Sequence, residues 1–221
     1  MPDTRQNEPK TDNSRLRLLI ADDKTETRRS TRLMLTLMPN VEVVALAKNG
    51  QQAIELARQY QPDIALMDVN MPGLNGLQAI AAMRQHQPAL VCVVISAEQQ
   101  RHTFTEAMAV GAQGFIIKPF TSDQLVETIT RVGKIVEENK RQTAVNARIQ
   151  RERDLLLRQL AFDYMQAQRM DDRARLIYER LAQDEACDRR ILISLAMIYV
   201  AQQEWSRLKQ LIARLEQPEA A

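Results

Sequence analysis

The chain has 221 residues, 45% apolar, 26% charged and 4% aromatic, and its 30 basic and 28 acidic residues leave a net charge of +2. This composition excludes collagen, low-complexity disorder and a disulfide-dense scaffold, and the near balance of charge argues against a strongly basic nucleic-acid binder. Two cysteines, Cys92 and Cys187, are too few and too far apart for a zinc site or a disulfide framework, and they read as reduced thiols of a cytoplasmic protein.

Residues 1–14 are polar and lack the apolar stretch of a secretory signal, so they read as a disordered leader. From Leu16 the chain alternates apolar runs with helical spacing. Leu16 to Ala21, Val41 to Ala47, Asp63 to Asp68, Leu90 to Ile95 and Gly114 to Lys118 are near-continuous Val, Ile, Leu and Ala runs. Such runs suit strands covered on both faces. Helical periodicity fills the intervals Thr25–Met38, Gly50–Tyr60, Leu74–Gln85 and Arg101–Val110, and follows the last strand over Ser122–Glu138. Five β–α units predict an α/β fold with a doubly wound, five-stranded parallel sheet. In such sheets the reactive groups gather at the carboxyl ends of the strands.

Those ends carry Asp22 and Asp23 after strand one, Asp68 after strand three, Ser96 after strand four and Lys118 after strand five. Three carboxylates, a hydroxyl and an ammonium therefore converge on one rim. Clustered carboxylates repel unless a cation sits among them, and an all-oxygen set suits Mg²⁺.

The stretches L-L-I-A-D-D, D-I-A-L-M-D-V-N-M-P-G-L-N-G, V-V-I-S-A and G-A-Q-G-F-I-I-K-P-F occur in that order, each at a strand–loop junction. On these motifs residues 15–138 resemble the receiver domain of two-component response regulators, a flavodoxin-like fold. The resemblance implies that Asp68 is the phosphoacceptor, a carboxylate nucleophile forming an aspartyl phosphate. It implies Mg²⁺ held by Asp22, Asp23, Asp68 and the backbone carbonyl of Asn70. Lys118 would pair with the phosphoryl oxygens, and the Lys118–Pro119 peptide would be cis. Ser96 would hydrogen-bond the phosphoryl group, and Phe115 would be the aromatic switch. Ala97 leaves room for the phosphodonor. Asn70 and Glu98, two residues beyond Asp68 and Ser96, would govern how water reaches the phosphoryl group. Gly73 and Gly76 fall where the backbone must turn after Asp68. The implied role is a switch that catalyses only its own phosphorylation and dephosphorylation, with a sensor histidine kinase or phosphotransfer protein as donor.

The chain changes character after Gly133. The last 88 residues contain no glycine, and no proline lies between Pro119 and Pro218. Residues 139–153 read as a helical linker, with apolar positions too sparse for a long coiled coil. Over 154–217, Leu160, Ala161 and Tyr164 recur 35 residues later as Leu195, Ala196 and Tyr199. Ala174, Ile177, Tyr178 and Leu181 recur 34 later as Leu208, Leu211, Ile212 and Leu215. This segment resembles two tetratricopeptide-type repeats, although Gln168 and Gln203 stand where that family often has glycine. Two such units are fewer than usually stand alone, and the preceding helix, a protein partner or a second copy of the chain (a homodimer) would complete their burial.

Two outputs remain open. In one, the helical segment is a protein-interaction output. In the other, the protein is a DNA-binding transcriptional regulator, although no helix-turn-helix is recognisable and arginines alternate with acids. A phosphorelay intermediate or phosphate sink is a further alternative. No nucleic acid or membrane partner is expected: the longest apolar run, Ile191 to Val200, is too short to span a bilayer.

Overall fold

The structure, a computed structural model, describes residues 15–97, 101–184 and 187–215; the expected leader lies outside the described residues. The chain divides into two units, Met1–Gln142 and Thr143–Ala221.

The first unit follows the order β1 (Leu16–Ala21), α1 (Thr25–Leu35), β2 (Val41–Ala47), α2 (Gly50–Tyr60), β3 (Ile64–Asp68), α3 (Gly76–His86), β4 (Val91–Ser96), α4 (Arg101–Ala109) and β5 (Gly114–Ile117), and then enters α5 (Ser122–Gln166). The strands form one parallel sheet in the order β2-β1-β3-β4-β5. Strand side chains alternate between two cores. Leu18, Ile20, Ile64, Leu66, Val91, Val93 and Ile95 point to the α1 and α5 side, where Leu35, Leu125, Ile129 and Val132 cover them. Leu19, Ala21, Ala65, Met67, Cys92 and Val94 point to the other side, against Ala53, Ala57, Ala79, Ile80 and Ala107 of α2, α3 and α4. Burial on both faces accounts for the unbroken apolar strand sequences.

α2 coincides with its expected span, and α1, α3 and α4 differ from theirs by up to three residues at an end, most at α1. Periodicity extends to Met38, but the helix stops at Leu35 and Met38 is buried from the turn that follows. The helix expected over Ser122–Glu138 and the helical linker expected over 139–153 form one uninterrupted helix, α5, which continues to Gln166, 45 residues in all. Nothing between Gly133 and Gln166 breaks a helix, and i,i+4 pairs such as Arg148 Nε to Glu152 Oε1 at 2.9 Å support its exposed middle.

In the second unit the end of α5 is followed by α6 (Asp172–Leu181), α7 (Arg189–Ala201) and α8 (Trp205–Leu215). Their shared core contains Ala161, Ala174, Tyr178, Leu181, Ile191, Leu192, Leu195, Ile198, Tyr199 and Leu211. The spacing read from the sequence can be compared with the helix ends. α5 and α7 end 35 residues apart, and Gln168 and Gln203 then adopt left-handed conformations with φ of 50° and 59°. α6 and α8 begin only 33 residues apart. The second turn is shorter by two residues, yet the packed faces still correspond at the expected 34: Ala174, Ile177 and Leu181 match Leu208, Leu211 and Leu215, all in or against the shared core, and buried Tyr178 alone meets an exposed residue, Ile212.

Left-handed geometry costs a non-glycine residue roughly 1–2 kcal/mol. Gln168→Gly and Gln203→Gly are each expected to stabilise the helical unit by about 1 kcal/mol, read as a higher urea midpoint at unchanged m. Asp171 caps α6, its carboxylate accepting from the N–H groups of Arg173 and Ala174 at 3.0 Å each. The bond from Ala174 above all, and then Arg169, hold its carboxyl below the usual 3.8. A depressed carboxyl contributes stability that is present above pH 3.8 and lost as pH falls through the folded value. Asp171→Ala is therefore expected to lower the melting temperature at pH 7, with the gap to the parent closing below pH 3.8.

Candidate functional site

The sheet order places β1 and β3 side by side, with the following helices on opposite faces, so the carboxyl ends of these strands open a crevice. Asp22 and Asp68 are buried there, while Asp23 stands exposed on the rim. One carboxylate oxygen from each of the three lies within 4.8 Å of the others. Lys118, delivered by the loop after β5, bridges two of them: its Nζ is 2.7 Å from Asp22 Oδ2 and 3.1 Å from Asp68 Oδ1. Asp22 also accepts from the backbone N–H of Lys24 at 2.8 Å, which aims its carboxylate toward Lys118. Ser96 is fully buried at the end of β4, and its carbonyl accepts from the N–H of Lys118 at 2.7 Å, tying the β4 and β5 ends together. The Lys118–Pro119 peptide is cis.

Electrostatics follow from this packing. Burial pushes the Asp68 carboxyl above its usual value, against the opposing pull of Lys118, and the Asp22 charge adds to the rise. A hydrogen bond from the backbone of Asn70 favours the ionised form. Burial alone would lower the Lys118 ammonium, but its bond to Asp22 and the Asp68 charge outweigh that and raise it. Three carboxylates face one ammonium, so two negative formal charges are left over, which one divalent cation would balance. The donors are all oxygen, as Mg²⁺ or another hard cation requires. Asp22, Asp23 and Asp68 therefore fit such an ion by charge, chemistry and spacing.

Glycine matters at three places. Gly73 has φ of +78° in the loop after β3. Gly76, expected to serve a tight turn, is needed for a different reason. It opens α3 against the end of β3, where a Cβ would lie 1.9 Å from the Asp68 carbonyl oxygen. The Gly76 N–H and the Asn75–Gln78 capping box hold this helix start in place. The sequence reading missed Gly50, whose Cβ would meet the Leu74 carbonyl oxygen at 2.3 Å and so displace the same loop. Its only signal was a glycine at a helix start, and the contact partner is 24 residues away.

A family model described as the response regulator receiver domain matches residues 18–130. The chain belongs to this family. It is 33% identical over 121 residues to the transcriptional regulatory protein DegU of Brevibacillus brevis, a match covering 55% of this chain and 51% of DegU. The match thus spans about half of that relative's length. It is 35% identical over 115 residues to the chemotaxis protein CheY of Bacillus subtilis, covering 52% of this chain and 95% of CheY. Among solved structures, the receiver domain of NarL from Mycobacterium tuberculosis superposes with a TM-score of 0.53 at 32% identity, covering 55% of this chain and 98% of that one. All of these similarities lie in the receiver half.

Within the receiver, Phe115 on β5 is half-buried, with its ring edge-on to that of Phe104 on α4 at 5.6 Å between centroids and 71° between planes. Its partner is itself half exposed. Asn70 lies exposed beyond Asp68, and Ala97 lies exposed beyond Ser96. Glu98 lies outside the described residues. Asp22, Asp23, Asp68, Ser96 and Lys118 are thus brought to one crevice, while Phe115 sits on the neighbouring α4–β5 surface.

A carboxyl raised by burial makes its ionised form a liability to folding. Stability falls as pH rises from below 3.8 through the folded value of Asp68. Asp68→Asn removes that penalty, and Lys118 keeps Asp22 as a partner. The variant is expected to be more stable than the parent at pH 7 in the absence of divalent cations, with the difference vanishing below pH 3.8, as read by urea unfolding at the two pH values.

Proposed function

We propose that this protein is a response regulator phosphorylated on Asp68 by a sensor histidine kinase or phosphotransfer protein. The observation that carries the reading is the arrangement at the β1–β3 crevice: a buried carboxylate next to two others, with one ammonium bridging to it. Asp68 Oδ attacks the phosphorus of a phosphohistidine, a P–O bond forms as the P–N bond breaks, and the imidazole leaves with the electron pair. Asp22, Asp23, Asp68 and the Asn70 carbonyl would hold Mg²⁺, which when bound neutralises phosphoryl oxygen charge. Lys118 exchanges part of its contact with the carboxylates for a phosphoryl oxygen. Ser96 donates its hydroxyl to another. Drawing the Ser96 loop toward the phosphoryl group vacates space beside Phe115, whose ring packs against the α2–α4 side of the core and stands edge-on to the half-exposed Phe104.

The output we assign to the helical unit is protein binding, through a tetratricopeptide-like pair of helix hairpins. Support comes from its surface. Ile193, Met197 and Val200 form an exposed apolar row on α7. A cavity of about 170 Å³ is lined by Phe162, Met165, Leu181 and Ile191, with Arg158 and Asp184 at its edge. The alternative of DNA binding draws on the name of DegU, a transcriptional regulatory protein. Against it, arginines of the helical unit are spent on acidic neighbours: Arg158 on Asp184, Arg175 on Glu204, Arg190 on Asp188 and Arg207 on Glu179. Paired arginines offer little free charge to a phosphate backbone.

With Mg²⁺ and acetyl phosphate the chain is expected to gain one hydroxylamine-labile phosphoryl group by intact mass, and Asp68→Asn to gain none. Asp23→Ala should slow the reaction at least about tenfold by weakening the cation site. Ser96→Ala should still be phosphorylated but lose the change in hydrogen exchange around Phe115. Undiminished phosphorylation of Asp68→Asn would refute the assignment.

A further inference from the structure

The middle of α5 carries an exposed apolar stripe that its own unit leaves uncovered. Val145, Ile149, Leu156 and Leu160 are 47%, 55%, 66% and 37% exposed. At 100° per residue they fall within about 60° of arc on one side of the helix. The hairpin core instead takes Leu157, Ala161, Tyr164 and Met165 from a different side of α5. The pair Val145 and Ile149 repeats after eleven residues as Leu156 and Leu160. An eleven-residue period stays on one face of a nearly straight helix, so two such stripes can run alongside each other without strong supercoiling.

The charges beside the stripe identify what covers it. Midway along it, Glu152 flanks one side and Arg153 the other, both exposed. We propose that the occupant is the same stripe of a second copy of this chain, with the two helices parallel. A two-fold axis along the helix pair brings the left flank of each copy against the right flank of the other. Glu152 then meets the second copy's Arg153 on one side, and Arg153 meets its Glu152 on the other. The apolar residues stack in like layers above and below. In the antiparallel arrangement the same faces would put Glu152 against Glu152 and Arg153 against Arg153, so charge selects the parallel pairing. Arg148, 2.9 Å from Glu152, adds a second cation to each bridge. The interface is isologous and closes on itself, giving a dimer rather than a filament.

The test uses the full-length chain, with sedimentation velocity across a concentration series and circular dichroism as a check on folding. A dimer is expected, and Ile149→Asp with Leu156→Asp should yield a folded monomer. Arg153→Glu and Glu152→Arg, each placing like charges together, should each weaken dimerisation about tenfold or more. The double variant Glu152→Arg with Arg153→Glu should restore it. In a Cys187→Ser background, Ile149→Cys should cross-link to itself on oxidation. A chain that is monomeric at tens of micromolar would overturn the proposal. So would a dimer indifferent to Ile149→Asp with Leu156→Asp, or a failure of the double charge swap to restore pairing. Cross-linking of Ile149→Cys to Leu156→Cys in a mixture, with no self-cross-link of either, would show an antiparallel pair and overturn it as well.

Discussion

The receiver unit is organised around the burial of two carboxylates beside one ammonium. Removing Asp22 and Asp68 from water is costly unless opposite charge and hydrogen bonds replace the lost solvation. Lys118 supplies the charge, at 2.7 and 3.1 Å, and the backbone N–H groups of Lys24 and Asn70 supply part of the bonding. The compensation is incomplete, because burial still raises Asp68. A site left with excess negative charge favours cations and a phosphoryl group accompanied by one. The same imbalance that weakens the fold therefore prepares the chemistry.

That site depends on close backbone approach as much as on charge. The Asp68 carbonyl can sit against the start of α3 only because residue 76 has no side chain, and the loop between them can pass α2 only because residue 50 has none. The N–H of Lys118 bonded to the Ser96 carbonyl holds two strand ends in register beneath the crevice. Ser96 thus belongs to the scaffold through its carbonyl, and in the proposed function its hydroxyl would reach the phosphoryl group. A group with both attachments suits a switch, since movement of one is felt by the other.

The helical unit obeys a different logic. Its core buries Ala161 and Ala174 fully, together with Tyr178, Leu195 and Ile198. Few residues are buried from α8, and apolar side chains remain exposed on α7 and on the middle of α5. Apolar surface of this extent is what the proposed contacts with other chains would remove from water. The two exposed surfaces differ in kind. The stripe on α5 is flanked by complementary charges of one chain, whereas the α7 row and the cavity beside Phe162 carry no such internal match.

The sequence by itself determined the sheet, the strand ends and the identities of the groups there. Period and run length are local properties, and the five site residues are each attached to a strand whose apolar run is unmistakable. Asp68 was legible because it ends such a run, and Lys118 because Pro119 follows it. The uninterrupted course of α5 was decided by the absence of any helix breaker, but where it ended only the turn at Gln168 could show. Tertiary structure alone decided what depends on distant partners: that Lys118 bridges Asp22 and Asp68, that Gly76 and Gly50 are set by backbone approach, and that Phe115 rests on Phe104. It also decided which of two apolar neighbours enters the core, because Leu211 and Ile212 are equally apolar and differ only in which one the fold buries. Local chemistry writes the elements into the chain, while burial, which selects among chemically equivalent neighbours, exists only once the elements have packed.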